Sequence, residues 1–163
     1  MDRYAATAPI SGALRSDSPE RTRALGRAIG TRATPGIVLA LIGPLGAGKT
    51  QLAKGVADGL DVSTVVNSPT FVLMNEHAGR LRLFHVDAYR LDDPDEALSI
   101  GLFDERQGDG VTVVEWADRL DGWLPLERLD LWIEPDAAGE NVRALRWVAH
   151  GAAHEALAGE ALR

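Results

Sequence analysis

The hydrophobic positions of this chain fall into two kinds of run. Gly36-Ile-Val-Leu-Ala-Leu-Ile42 is an unbroken apolar stretch of buried-strand length. Beyond a glycine-rich segment, Leu52, Val56 and Leu60 recur every four residues with Ala53 and Ala57 beside them, as on one face of a helix that reaches about Leu60. Upstream, Ser18-Pro19-Glu20 has the form of a helix start, with serine as N-cap and proline in the first turn. Leu25, Ala28 and Ile29 give that helix its apolar stripe to about Ala33. Residues 1–17, punctuated by Ala, Ser, Gly and Pro, form an irregular lead-in or a short strand.

Further on the period changes. Phe71 to His77 and the alternating Arg80 to Asp87 read as two strands joined by a hairpin turn at Ala78-Gly79. Asp92-Asp93-Pro94-Asp95-Glu96 is an acidic helix start, followed by Ala97, Leu98 and Ile100 on the apolar side. Residues 101–110 form a loop with room for one helical turn, and Val111 to Trp116 is a short, β-branched buried strand. Strands over 128–134 and 143–150 flank a turn at residues 137–141, and an Ala-rich helix closes the chain over 152–162. Short turns can join only antiparallel neighbours, so this order predicts an α/β layer fold with a mixed sheet.

Size and charge narrow the class. The chain's 163 residues suit a single domain, 1–163, able to bury one core. A net charge of −7 argues against broad contact with a nucleic-acid backbone, which calls for a basic surface. Without cysteine there is no disulfide framework and no thiolate metal site. No signal-peptide core and no apolar run near the length of a membrane span occur, which predicts a cytoplasmic protein with no membrane partner.

The glycine-rich segment carries the chemistry. Gly43-Pro44-Leu45-Gly46-Ala47-Gly48-Lys49-Thr50 fits G-x-x-x-x-G-K-[ST], the phosphate-cradling P-loop, in its required place between a strand and a helix. Backbone N–H groups can wrap a triphosphate where no Cβ intervenes, and the helix that follows directs its positive end at the same charges. Lys49 would reach the β and γ oxygens, and the Thr50 hydroxyl would take one place on Mg²⁺. The chain has only two lysines, Lys49 and Lys54, against fifteen arginines, so a basic face has no need of this one. The expected fold is therefore α/β, a P-loop NTPase-like three-layer sandwich with a mixed, partly antiparallel central sheet.

Hydrolysis also needs an acid near the metal and a group that positions water. Leu81, Leu83, His85 and Asp87 share one face of their strand, which places His85 and Asp87 toward its end. Val111, Val113 and Glu115 do the same in theirs. Ligands lie at such strand ends in open α/β sheets. Spacing alone does not rank Asp87 above Glu115, and either acid taken by itself would more often be a helix cap or a solvated strand end.

Four segments together resemble the TsaE (YjeE) family, small bacterial ATPases of tRNA threonylcarbamoyladenosine (t6A) synthesis. They are the P-loop, Ser68-Pro69-Thr70-Phe71, His85-Val86-Asp87-Ala88-Tyr89-Arg90-Leu91 and Val114-Glu115-Trp116. The P-loop is common to many ATPases; the other three, in this order, are far more specific. The resemblance implies a weak ATPase that uses ATP and Mg²⁺ and works with TsaB- and TsaD-like partners, reaching tRNA indirectly through them. By the same resemblance Lys49 binds phosphate, Thr50 and Glu115 ligate the metal, and Asp87 is tied to turnover, so that Asp87, Lys49 and Glu115 are the candidate catalytic residues. Nucleotide contacts are expected from Leu45, Gly46, Ala47, Gly48, Lys49, Thr50 and Gln51. Thr70 would sit in a nucleotide-sensing loop, Trp116 would report on the site, and Ser16, Asp17 and Gly139 would border the adenine. The chain departs from the family at Gly139-Glu140, where relatives often have Gly-Arg, with Arg143 three residues on; Pro44 also replaces a common acid.

Three rival readings make different demands. A small-molecule P-loop kinase needs a lid rich in arginine, but residues 92–110 contain only Arg106. A GTP switch needs the N-K-x-D motif, and neither lysine follows an asparagine. A non-catalytic module, in which ATP only firms a docking surface, looks the same in sequence as a slow ATPase.

Overall fold

The protein is described by a computed structural model, which covers residues 9–67, 74–89, 91–93, 95–99 and 101–163. One seven-stranded sheet organises it: β1 (Ile10–Ser16), β2 (Val38–Ile42), β3 (Met74–His77), β4 (Leu83–Asp87), β5 (Val111–Glu115), β6 (Arg128–Pro135) and β7 (Arg143–His150). Their spatial order is β1-β7-β6-β2-β5-β4-β3. The four central strands, β6, β2, β5 and β4, are parallel, and β3 on one edge and β7 with β1 on the other are antiparallel. The mixed sheet expected from the sequence is therefore present. The parallel strand β2 is wholly apolar, and β5 is buried along its whole length, because both of their faces are covered.

Helices α1 (Pro19–Arg32), α2 (Lys49–Gly59) and α4 (Ala152–Ala161) pack on one face, where Leu25, Ile29, Leu52, Val56, Leu131 and Leu157 join one continuous core. A smaller cluster under the opposite face joins Ala40, Val86 and Val114 to Leu102 and Leu120. Leu120 comes from a 3₁₀ turn over Ala117–Leu120, and the other short elements are α3 (Asp95–Ser99) and a 3₁₀ turn over Glu105–Asp109.

The start of α1 follows from its sequence. The Ser18 hydroxyl accepts from the Arg21 N–H at 3.1 Å, and Pro19 occupies the first turn, where its missing N–H leaves nothing unsatisfied. Close packing of α1 on α2 comes from glycines on both. A Cβ at Gly26 would lie 2.2 Å from Leu52 O, and one at Gly55 would lie 2.0 Å from Arg23 O. Across the same contact Arg23 makes a two-pronged ion pair with Asp58, at 2.6 and 3.0 Å.

Several boundaries differ from the sequence expectation. Of the two forms expected for the lead-in the strand is the one present: seven-residue β1 pairs with β7 along its whole length from Ile10↔Ala149 to Ser16↔Arg143. Strand β4 begins at Leu83 rather than Arg80, because the Arg80 N–H donates to Leu60 O (2.6 Å) and its guanidinium covers the end of α1 through Gly30 O (2.7 Å) and Ala33 O (3.1 Å). The helix expected from Asp92 spans only 95–99, and the turn over 117–120 follows directly where the strand was expected to end. Among the described residues no helix is long and apolar enough to cross a membrane.

Candidate functional site

Strands β2, β4 and β5 are parallel neighbours and end on one edge of the sheet. Register pairs Leu41 with Glu115 and Glu115 with Asp87, so both acids border the loop that leaves Ile42. A bond from the Ala88 N–H to Glu115 O (3.0 Å) carries that alignment past the end of β4.

The loop from Gly43 to Gly48 is tight. Ala47 N–H donates to Pro44 O at 3.2 Å, and Gly48 sits at φ +112°, where a Cβ would strain the backbone. Helix α2 starts at Lys49 with no side chain capping it, which leaves its first N–H groups for an anion. Residues 45–51 line a cavity of about 410 Å³ together with Asp87, Tyr89, Glu115 and Trp116.

Within the cavity the polar groups are already engaged with one another. Thr50 Oγ1 donates to Glu115 Oε1 at 2.8 Å. His85, fully buried, lies with Nε2 2.5 Å from Glu115 Oε2. Burial pushes the Glu115 carboxyl up, but the hydrogen bond and attraction of His85, the Thr50 hydroxyl and Lys49 outweigh it and hold the group below its ordinary value. An ionised carboxylate only accepts, so His85 Nε2 carries the donated proton. Its other nitrogen, Nδ1, is buried with no hydrogen-bond partner among the described residues.

Lys49 is 4% exposed and donates to Gly43 O (2.6 Å) and Pro44 O (2.8 Å). Its ammonium also lies 4.0 Å from the centre of the Trp116 ring, within cation–π range. Burial lowers its pKa, against the attraction of Glu115, Asp118 and Asp87. Trp116 takes a left-handed φ of +57°, which turns its ring over the cavity and onto Tyr89, with the two centroids 4.8 Å apart. Burial raises the Asp87 carboxyl above the usual range, opposed by the Tyr89 N–H that it accepts at 3.0 Å.

The structure thus brings together Lys49, Thr50, Gln51, Asp87, Glu115 and the loop residues Leu45 to Gly48. It does not bring in three others. The Ser16 hydroxyl is buried and bonds the Thr22 hydroxyl (2.7 Å) and Ser18 O (2.8 Å). Asp17 is exposed, and neither it nor Gly139 lines the 410 Å³ cavity or the smaller cleft of about 140 Å³ behind the loop. That cleft is lined by Pro19, Thr22, Asn141 and Arg143 with loop residues. Thr70 lies outside the described residues. His85, expected to emerge at a strand end, is instead wholly enclosed behind Glu115, two residues short of that end. Tyr89 joins the cavity from the same short motif as Asp87, two residues on, whereas Arg143 reaches the loop through the pairing of β7 with β1, in which it stands opposite Ser16.

Fold and loop together define an α/β protein of the P-loop NTPase-like class. Residues 16–144 match the family described as Threonylcarbamoyl adenosine biosynthesis protein TsaE, and the chain belongs to that family. It is 43% identical over 150 residues to the tRNA threonylcarbamoyladenosine biosynthesis protein TsaE of Bacillus subtilis, covering 91% of this chain and 92% of that one. The TsaE protein of Mycobacterium leprae is 41% identical over 133 residues, 76% of this chain and 83% of its own. The crystal structure of YdiB from Bacillus subtilis superposes with a TM-score of 0.78 at 35% identity, covering 96% of this chain and 97% of that chain.

Proposed function

We propose that this chain binds ATP with Mg²⁺ in the 410 Å³ cavity and hydrolyses it slowly, in support of t6A modification of tRNA alongside TsaB- and TsaD-like partners. The observation that carries the reading is the Thr50–Glu115 contact of 2.8 Å at the start of α2. A hydroxyl and an ionised carboxylate side by side at the mouth of a P-loop are the donor set that Mg²⁺ takes when phosphates and water fill its remaining places.

Thr50 and Glu115 would hold the metal, whose charge would offset that of the β and γ phosphate oxygens. Lys49 would leave Gly43 O and Pro44 O and turn its ammonium to those oxygens, a charge-assisted contact. His85 fixes the orientation of Glu115 and keeps it ionised. Asp87 faces the same cavity with a raised pKa, which moves it toward the range where a carboxylate can accept a water proton and return it. Tyr89 and Trp116 wall the cavity on the side of the acids. The same names borne by the relatives support the link to t6A, and the TsaB and TsaD partnership is part of the proposal.

The test is calorimetric titration with ATP, with and without Mg²⁺, followed by phosphate release with and without the two partner proteins. Binding that strengthens with Mg²⁺ and slow release that rises with partners is the expected result. Absence of ATP binding would refute the proposal, and turnover that requires an added small-molecule acceptor would make the protein a kinase.

A further inference from the structure

Behind the P-loop, on the side away from the acids, Arg143 opens strand β7. Its Nε donates to Ala47 O at 3.0 Å and one Nη reaches Gly46 O at 3.4 Å. The other Nη donates to Glu140 O (2.7 Å) and Val142 O (3.0 Å) in the β6–β7 turn. A guanidinium holds its N–H groups in one rigid plane, so these four bonds fix the loop relative to the turn.

The consequence reaches the phosphate side through peptide geometry. In a trans peptide the C=O and N–H point in opposite directions. Holding Ala47 O toward Arg143 therefore aims the Gly48 N–H away from it, toward the cavity. Gly48 sits at φ +112° at the start of α2 with no side-chain cap, so the tie on Ala47 O bears directly on the direction of its N–H. The register Ser16↔Arg143 anchors the arginine on a strand pair, so its own position is fixed by the sheet.

We infer that Arg143 is a positioning residue for the phosphate cradle: through the Ala47 carbonyl it directs the Gly48 amide at the phosphates, and its bond to Gly46 O steadies the loop, so that it acts through the backbone rather than by contact with the nucleotide. This rests on the ATP-binding reading above.

The experiment compares full-length wild type, Arg143→Ala and Arg143→Lys by ¹H–¹⁵N spectra without nucleotide, by ATP titration with Mg²⁺ and by thermal unfolding. The expected result is a shift or broadening of the Ala47 and Gly48 amide signals in both variants, with signals from the middle of β1 unmoved. ATP affinity should fall about tenfold in Arg143→Ala and less in Arg143→Lys, which keeps the charge but not the planar fork. Affinity within twofold of wild type overturns the inference, including the case of a lowered unfolding midpoint with binding intact, which would mark a purely structural tie. Reduced affinity with unmoved amides also overturns it, since Arg143 would then contact the nucleotide. Should Arg143→Ala fail to fold, Arg143→Lys decides by the same readings. A wild type that binds no ATP refutes the proposed function instead, and the amide shifts still decide whether Arg143 orients the loop.

Discussion

The two flanks of the P-loop are built on different principles. On the flank of β4 and β5, side chains act directly: Lys49, Thr50, Glu115, His85 and Asp87 are charged or polar and lie within one connected network. On the flank of α1 and β7 the contacts run through the backbone. Glycines let α1 and α2 approach until a Cβ would collide with a carbonyl, and Arg143 holds main-chain oxygens. The first flank is poised for a ligand and the second holds the loop in shape. Changes on the first should alter binding with little effect on folding, and changes on the second should do the reverse or act on both.

The largest effect expected on the ligand flank is that of Lys49→Ala. Loss of a charge-assisted phosphate contact of about 3 kcal/mol weakens ATP binding more than a hundredfold. The unfolding midpoint should move little, because the ammonium mainly touches its own loop carbonyls and one ring. Near-normal ATP affinity would contradict the site. The opposite case is Gly55→Ala. Its new Cβ would lie 2.0 Å from Arg23 O, so α1 and α2 must separate, and overpacking of this kind costs about 2 kcal/mol even after the gain in helix propensity. Denaturant unfolding reads this directly. An unchanged or raised stability would mean that the helix seam is looser than drawn.

The same contrast explains what could be read from the sequence. Direct-acting residues sit in short contiguous motifs, so the loop, Asp87 and Glu115 were legible with their strands. Boundaries of β6 and β7 were legible as well, because alternating strands flank an obvious turn. The cleft behind the loop is lined by Thr22, Asn141 and Arg143 and not by Ser16, Asp17 or Gly139, since the exact pairing of β1 with β7 decides which neighbour faces it. Arg80 looked like the first residue of a strand and became a cap on α1, a tertiary contact fifty residues away in sequence. The glycine pairs Gly26, Gly30 and Gly55, Gly59, each four apart, formed no part of the sequence expectation, and the fold shows them packed where the two helices meet.

Smaller effects come from the two acids, and they differ in sign. Glu115→Gln removes the charge from the metal pair, so the strengthening of ATP binding by Mg²⁺ should drop about tenfold, roughly 1.4 kcal/mol, while binding without metal changes less. Equal loss with and without Mg²⁺ would speak against a metal role. Because its folded-state pKa is depressed, Glu115 contributes stability above its ordinary value, and that contribution is lost as pH falls through the folded value. Asp87 has a raised folded-state pKa, so its charged form is disfavoured by folding and it subtracts stability once pH rises above the ordinary carboxylate range. Asp87→Asn should therefore raise the unfolding midpoint at neutral pH while abolishing partner-stimulated turnover and sparing ATP affinity. A lowered midpoint would show that burial is not what governs this carboxyl.

The smallest expected change is optical. When Lys49 turns toward phosphate it leaves the face of Trp116, where its ammonium now lies 4.0 Å from the ring centre. Removing a nearby cation alters the field at the indole, so emission should shift on adding ATP. Three other tryptophans contribute background, but Trp132 keeps Arg146 at 4.3 Å and Trp147 is buried in the core, both away from the cavity. Trp123 is 44% exposed and does not line the cavity either. Trp116→Phe should therefore abolish the nucleotide-dependent shift, with ATP affinity changed by less than about 1 kcal/mol because phenylalanine retains a weaker cation–π surface. A response that survives this substitution would place the moving group elsewhere, and Lys49 would then not be the residue that the ligand displaces.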